Sequence, residues 1–149
     1  MTAAVELNGW CIVTGQDFRE SIFVKDTTLP TIPNPDYNED CTEDINNRKE
    51  LYQAKDLTDY EAKMDIRDSN TVAGNLIKAL GTISGGITIT ALTGEVEIFI
   101  DNSETKIDPI LSAAGSDAFY DLFLIPLAPE DNQRVLFGTI QIIGAVTNV

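Results

Sequence analysis

Apolar and polar residues alternate one by one through the middle of this chain, and no other feature limits its fold as strongly. The clearest segment is 60–67, in which each apolar side chain is followed by a charged one; the apolar members are Tyr60, Ala62, Met64 and Ile66. Because successive side chains of a β-strand point to opposite faces, a repeat of two residues is typical of a half-buried strand. The pattern returns at residues 87–90 and 96–100, after glycine-containing turns. It predicts strands with one face in a core and the other in water.

Further strand-like segments lie on both sides of this region, at residues 10–13, 21–25, 76–80, 119–127 and 135–143. Turns rich in Gly, Pro, Asn or Asp separate them. This spacing indicates an all-β protein, an Ig-like antiparallel β-sandwich of about seven or eight strands with one or two short helices. We expect one helix near residues 103–111, capped by Ser103. A length of 149 residues fits a single domain spanning 1–149.

The alternation also assigns a set of side chains to one shared core. They are Met64, Ile66, Ile87, Ile89, Val96, Ile98, Leu122, Leu124, Val135 and Phe137. On the strand around residue 120, Tyr120, Leu122 and Leu124 would share the inner face. Phe123 would then lie on the outer face, where an aromatic ring needs a partner.

Residues 27–55 differ in character from the rest and are interpreted as a proline-rich acidic insertion. Pro30, Pro33 and Pro35 fall within six residues, and an acidic run follows at 36–44. Proline removes a ladder donor, so this segment cannot be a central strand. Capping residues and helical spacing predict a short helix over residues 42–54. A loop this long within a compact domain is usually functional or disordered.

Charge and composition exclude several classes of function. Acidic residues outnumber basic ones by 24 to 10, for a formal net charge of −14. Such a field repels phosphate backbones and anionic lipid surfaces, so we expect neither nucleic acid nor membrane as a partner. No apolar run approaches the roughly 20 residues of a membrane-spanning helix.

The chain contains no histidine, and this argues against catalysis. Its absence removes the commonest general base, the usual serine and cysteine triads and most zinc sites. Carboxylates are abundant, but they lie on polar strand faces or in loops, where solvated surface is their expected role. We therefore predict that the protein is not an enzyme and has no catalytic residues, no cofactor and no metal site.

One alternative concerns calcium. Asp36, Asn38 and Asp40 fit the first three ligand positions of an EF-hand loop, but Cys41 stands in place of the required glycine and Asn47 in place of the terminal glutamate. A calcium site of looser geometry stays open.

The two cysteines, Cys11 and Cys41, are too few for a disulfide framework. We expect both to be reduced thiols, with Cys11 buried in a strand and Cys41 in the acidic loop. The first residues show no basic segment followed by an apolar one, so we expect no secretory signal. The resulting expectation for its location is the cytoplasm of the cell that makes the protein.

An ordered set of motifs resembles a known family. These motifs are Asp56-Leu57-Thr58-Asp59-Tyr60, Ile66-Arg67-Asp68, Gly85-Gly86-Ile87, Tyr120-Asp121-Leu122 and Leu136-Phe137-Gly138, and the chain closes with Val146-Thr147. The set is similar to phage tail and baseplate proteins with a β-sandwich, as at the N-terminus of baseplate upper proteins and tail-fibre connector proteins. Asp59 stands where that family usually has glycine, and residues 27–55 look like an insertion.

The resemblance implies a structural protein of a bacteriophage virion, a tail, baseplate, neck or fibre-attachment component. It implies docking onto other virion proteins in several copies, or as a homo-oligomer, without catalytic residues. Tyr37 and Tyr52 in the insertion, together with Phe123, are the candidate contact residues, because exposed aromatic side chains often anchor interfaces. A second interpretation is a carbohydrate-binding or adhesin module, which would need exposed aromatic side chains or a calcium site, for which the acidic loop is the candidate.

Overall fold

The computed structural model of the chain describes residues 4–44 and 46–145. Within them the backbone is mostly extended, and the strands in chain order are β1 Val5–Glu6, β2 Trp10–Val13, β3 Phe18–Phe23, β4 Lys25–Asp26, β5 Ile32–Pro33, β6 Glu50–Leu51, β7 Gln53–Ala54, β8 Tyr60–Arg67, β9 Leu76–Gly81, β10 Ile87–Thr90, β11 Glu95–Ile100, β12 Asp117–Pro126 and β13 Gln133–Ile143. Helical structure is confined to single turns: the α-helical turn α1 Asn102–Thr105 and 3₁₀ turns at Glu39–Cys41, Ala91–Thr93 and Leu111–Ala113.

Two sheets enclose the core. The larger has the order β1-β13-β12-β8-β9, with β2 also beside β13, and the smaller has the order β10-β11-β3. Buried side chains of both sheets form one cluster, in which Ile66 and Leu122 of the larger sheet and Ile98 of the smaller are completely inaccessible. The prediction of an all-β sandwich is therefore confirmed. The Ig-like topology stays a prediction.

The larger sheet is not purely antiparallel, which corrects one part of the expected fold. Both β1 and β2 run parallel to β13, at Val5↔Leu136 and Ile140↔Trp10 respectively. They occupy one edge of the sheet as a single interrupted strand.

The assignment of side chains to the core is wrong at Phe137. Between β12 and β13 the register moves from Leu122↔Leu136 to Phe123↔Arg134 and passes over Val135. Val135 is therefore an extra residue, a β-bulge, and it and Leu136 are both buried. Phe137 is turned to the outer face as a result. The other assigned side chains are buried, except Ile89, which packs against the core while partly exposed.

The described residues of 25–54 form a two-stranded ribbon, so the helix expected over 42–54 is wrong. β4 pairs with β7 at Lys25↔Ala54, and β5 pairs with β6 at Ile32↔Leu51. The prolines keep one side of the ribbon extended, and cross-strand hydrogen bonds then outweigh the local capping signals. The ribbon continues from β3 of the smaller sheet.

Two smaller expectations are also corrected. The turn α1 is capped by Asp101, whose carboxylate accepts from the Ser103 amide, and it ends at Thr105. Cys11 is exposed, because its neighbours Trp10 and Ile12 point into the core and leave it on the outer face of the edge strand. Its sulfur lies 3.7 Å from Gln141 Oε1. Cys41 is a free, exposed thiol too.

The interruption between β1 and β2 ties the edge of the larger sheet to the core. The Leu7 amide donates to the Phe137 carbonyl at 2.8 Å, and the Tyr120 hydroxyl donates to the Leu7 carbonyl at 2.7 Å. Trp10 stacks on Tyr120 with 5.1 Å between ring centroids and meets Phe18 of the smaller sheet edge-on at 6.0 Å. The edge is thus held by two hydrogen bonds and an aromatic cluster that bridges both sheets.

Gly138 allows the chain between β1 and β2 to lie this close to β13, since a Cβ on residue 138 would clash with the Leu7 carbonyl oxygen. We expect Gly138→Ala to lower the free energy of unfolding by about 1–3 kcal/mol, the usual cost of overpacking. Gly144→Ala is the matched control, because its added Cβ would lie 3.7 Å from the Ala114 Cβ, an ordinary contact. Urea unfolding of both variants measures the difference. Equal stability would show that the Leu7 carbonyl does not lie against Gly138.

The buried Tyr120 hydroxyl makes stability sensitive to alkaline pH. Burial raises the pKa of Tyr120 to about 12 from 10.0. The neutral phenol therefore contributes stability that is complete below pH 10.0 and is lost as pH rises through about 12. Tyr120→Phe should cost about 1 kcal/mol at neutral pH through the lost hydrogen bond. Unfolding measured across the alkaline range should show the wild type losing its advantage over the variant; a constant difference would contradict this.

Candidate functional site

Three rows of side chains cross the outer face of the larger sheet. Because directly opposed residues of antiparallel strands share a face, the registers of β8, β12 and β13 define these rows. The rows are Lys63–Phe123–Arg134, Asp65–Asp121–Phe137 and Arg67–Phe119–Thr139. Together with the loop at residues 69–72 they line a groove of about 640 Å³, termed here the outer groove.

Aromatic rings and cations alternate in the outer groove. The Arg134 guanidinium lies 4.3 Å from the centroid of the Phe137 ring, an arrangement in which the ring stabilises the charge. Arg134 and Lys63 flank Phe123 on either side and both are exposed. Three half-exposed phenylalanines on one sheet face give the groove an apolar floor that a partner can cover.

Two carboxylates, Asp65 and Asp121, lie directly opposite each other at the centre of the groove. Burial is the main cause of a raised pKa at Asp121, and the negative charge of Asp65 raises this pKa further. The positive charges of Arg134 and Arg67 lower it in part. The Arg67 guanidinium donates to Asp65 at 2.9 Å and to the Gly74 carbonyl at 3.0 Å. Asp65 thus forms an ion pair with an arginine of its own strand, whereas burial disfavours the charged form of Asp121.

This arrangement has a measurable consequence for stability. A raised folded-state pKa means that the protonated form of Asp121 favours folding, and that this contribution is lost as pH rises through the folded-state pKa. Asp121→Asn should therefore raise the unfolding midpoint at neutral pH and lose the gain below the ordinary aspartate pKa. Asp117→Asn, at an exposed position of the same strand, is the control and should change little. An equal gain at both pH values would contradict the assignment.

The ribbon is the second feature without a partner. Among the described residues of 27–55, none is buried. Large apolar side chains are nevertheless exposed on it, at Leu29, Ile32, Leu51 and Tyr52. An isolated two-stranded ribbon is marginally stable in water at best. These side chains are therefore apolar area that the sandwich itself does not cover.

The tip of the ribbon is organised by amide side chains. Asn47 accepts from the Asn38 amide at 2.9 Å and donates to the Asn38 and Cys41 carbonyls at 2.6 and 2.9 Å. Asn38 in turn accepts from the Asp40 amide at 2.9 Å. Asn38 and Asn47, two of the positions compared above with calcium ligands, thus make hydrogen bonds to the loop itself. In the part of the chain that the structure describes, no group of three or more acidic or cysteine side chains could hold a metal ion.

The predicted contact residues fall on two separate surfaces. Tyr52 is exposed on the ribbon. Tyr37 is half-buried at the tip of the ribbon, where the centroid of its ring lies 5.7 Å from the Lys49 ammonium. Phe123 lies in the outer groove, on the face that the alternation predicted. No described residue of the ribbon lines that groove.

The sequence interpretation missed the residues around Phe123. The alternation of β8 and β12 was a sufficient signal for the outward positions of Asp65, Arg67, Phe119 and Asp121. The outward turn of Phe137 had no local signal, because it depends on the bulge.

Comparison with known proteins adds no family. No protein-family model matches the sequence, and no curated protein matches it. None of the helices in the described residues is long and apolar enough to cross a membrane.

Proposed function

We propose that this chain is a non-enzymatic structural protein of a bacteriophage virion, a tail, baseplate, neck or fibre-attachment component. It assembles in the host cytoplasm, is present in several copies, and acts by docking onto other virion proteins without nucleic acid, membrane or cofactor. We further propose that the sandwich is Ig-like, in keeping with its two packed sheets of short strands. The ordered motif set given above is one support for this function.

The motifs occupy positions where their residue types have a physical reason. Gly85 and Gly86 have φ angles of 106° and 90°, which favour glycine, and they stand just before β10. A Cβ on Gly86 would also clash with Leu80. Tyr120-Asp121-Leu122 provides the phenol that donates to the Leu7 carbonyl at the edge of the larger sheet. Gly138 leaves room for that carbonyl. These three motifs therefore include residues on which this sandwich depends, whereas Val146-Thr147 lies outside the described residues.

The observation that carries the proposal is the ribbon. Burial of the core is complete without it, yet it displays apolar and acidic side chains on a backbone restricted by three prolines. Restriction before docking lowers the entropy lost on binding. A segment that the fold does not need, and that is prepared for contact, is what a docking protein requires.

The registers show how the ribbon can be removed cleanly. Asp26 and Gln53 are directly paired, so replacing residues 27–52 with Asn-Gly closes the hairpin with a two-residue turn. We expect the shortened protein to stay folded, with an unfolding midpoint close to that of the wild type, and to be absent from purified virions. Circular dichroism of the purified protein measures folding and the unfolding midpoint. Mass spectrometry of purified virions measures incorporation. Incorporation at the wild-type level would reject the ribbon as the docking element.

A finer variant separates the apolar contact from the length of the ribbon. Ile32 and Leu51 are paired across the ribbon and both are exposed, so Ile32→Ser with Leu51→Ser should preserve folding and reduce incorporation. Ile83→Ser with Leu127→Ser is the control, because these side chains are also exposed but lie outside the ribbon and outside the groove. Equal loss in both pairs would indicate a general effect of surface polarity.

The carbohydrate-binding or adhesin interpretation is a second candidate, favoured by the three phenylalanine rings of the outer groove. A glycan array with and without calcium tests it. Binding that disappears with Phe123→Ala would support this candidate.

A further inference from the structure

We propose that the outer groove of one copy receives the ribbon of a neighbouring copy, with the acidic tip of the ribbon against the row Lys63–Phe123–Arg134. The proposal rests on the proposed function, in which several copies meet in a virion. It names the partner of each of the two surfaces that the sandwich leaves uncovered.

The apolar parts of the two surfaces correspond. Ile32 and Leu51 are directly opposed on the ribbon, so they share one of its faces. The groove offers the rings of Phe119, Phe123 and Phe137 as a floor. Placing one against the other removes from water apolar area on both sides, and burial of apolar area is the main favourable contribution to association.

The charges correspond as well. Residues 36–44 carry five carboxylates and no lysine or arginine; the acidic residues are Asp36, Glu39, Asp40, Glu43 and Asp44. The groove lining holds three cations, Lys63, Arg67 and Arg134, against three carboxylates, Glu6, Asp65 and Asp121. In a chain with a net charge of −14, this balance makes the groove a surface that an acidic segment can approach with comparatively little repulsion.

Within the groove, the exposed cations are the ones left for a partner. Arg67 is engaged by Asp65 at 2.9 Å. Lys63 makes no ion pair within 4.0 Å in the described residues, and Arg134 contacts the Phe137 ring rather than a carboxylate at that distance. Both flank Phe123, so the acidic tip can meet two cations on either side of an aromatic ring.

The topology favours the ribbon of another copy over that of the same chain. The ribbon continues from β3 in the smaller sheet, whereas the groove lies on the face of the larger sheet that points away from the smaller one. A ribbon from one copy in the groove of the next is a head-to-tail contact. Such contacts repeat and close into a ring or extend as a filament.

Sedimentation at increasing protein concentration tests the proposal on the full chain. The wild type should self-associate, and Lys63→Gln with Arg134→Gln should weaken association by roughly tenfold or more. Lys106→Gln with Arg19→Gln removes the same charge outside the groove, so it adds the same general repulsion between copies and should weaken association far less. Asp121→Asn should strengthen association, because it removes a negative charge where the acidic tip docks. Weakening by Asp121→Asn would overturn the proposal.

Mixing two variants identifies the head-to-tail arrangement. The shortened protein with the Asn-Gly turn keeps an intact groove, and the Lys63→Gln, Arg134→Gln protein keeps an intact ribbon. At a concentration at which the wild type just associates, each alone should be largely monomeric, and their mixture should form a one-to-one complex that grows no further. Two monomers that fail to combine would overturn the proposal.

Three other outcomes would also overturn it: a wild type that stays monomeric into the millimolar range, a crosslink between ribbon and groove within one chain, or a groove filled by an oligosaccharide instead. Failure here is distinguishable from failure of the proposed function. A monomeric protein that is still found in purified virions, and lost from them with the ribbon, would keep the function and reject self-docking.

Discussion

The register shift at Val135 decides which side chains the larger sheet presents on its outer face. In a regular strand, Arg134 and Phe137 would point to opposite sides, because they are an odd number of residues apart. The extra residue lets both point outward, so that the guanidinium lies 4.3 Å from the ring centroid. It also sets Arg134 beside Phe123 and Phe137 beside Asp121. The outer groove therefore depends on one inserted residue. Bulges often change the direction of side chains in this way.

What the sequence could predict follows from how local each signal is. Alternation is a property of neighbouring residues, so it predicted β8 and β12 and the outward position of Phe123. Alternation could not predict the bulge, because three consecutive apolar residues, 135–137, fit either register and the choice depends on how β13 pairs with β12. The helix expected over 42–54 failed for the same reason. Its capping signals were local, whereas the pairing of Ile32 with Leu51 joins residues on opposite sides of the acidic run.

The sandwich and the ribbon are stabilised in different ways. In the sandwich, side chains distant in sequence meet: Trp10 packs on Tyr120 and against Phe18, and one core cluster joins both sheets. The tip of the ribbon is held by short-range hydrogen bonds of amides such as Asn47. Such bonds contribute little net stability in water, but they limit the conformations that the segment samples. The same hydrogen bonds would reduce the entropy that the ribbon loses in the proposed docking.

The opposed carboxylates Asp65 and Asp121 are the point at which this sheet departs most clearly from the rules of stability. Like charges directly across a strand pair destabilise it, and burial adds to the cost at Asp121. The core does not require a charge there, since both side chains lie on the outer face. Local departures of this kind are expected where a surface has a role beyond folding. Arg67 and Arg134 offset the carboxylates and leave a balanced, aromatic surface on a strongly acidic protein. Repulsion between identical copies is smallest where charge is balanced, so in the proposed docking between copies the excess negative charge elsewhere would disfavour contacts outside the groove.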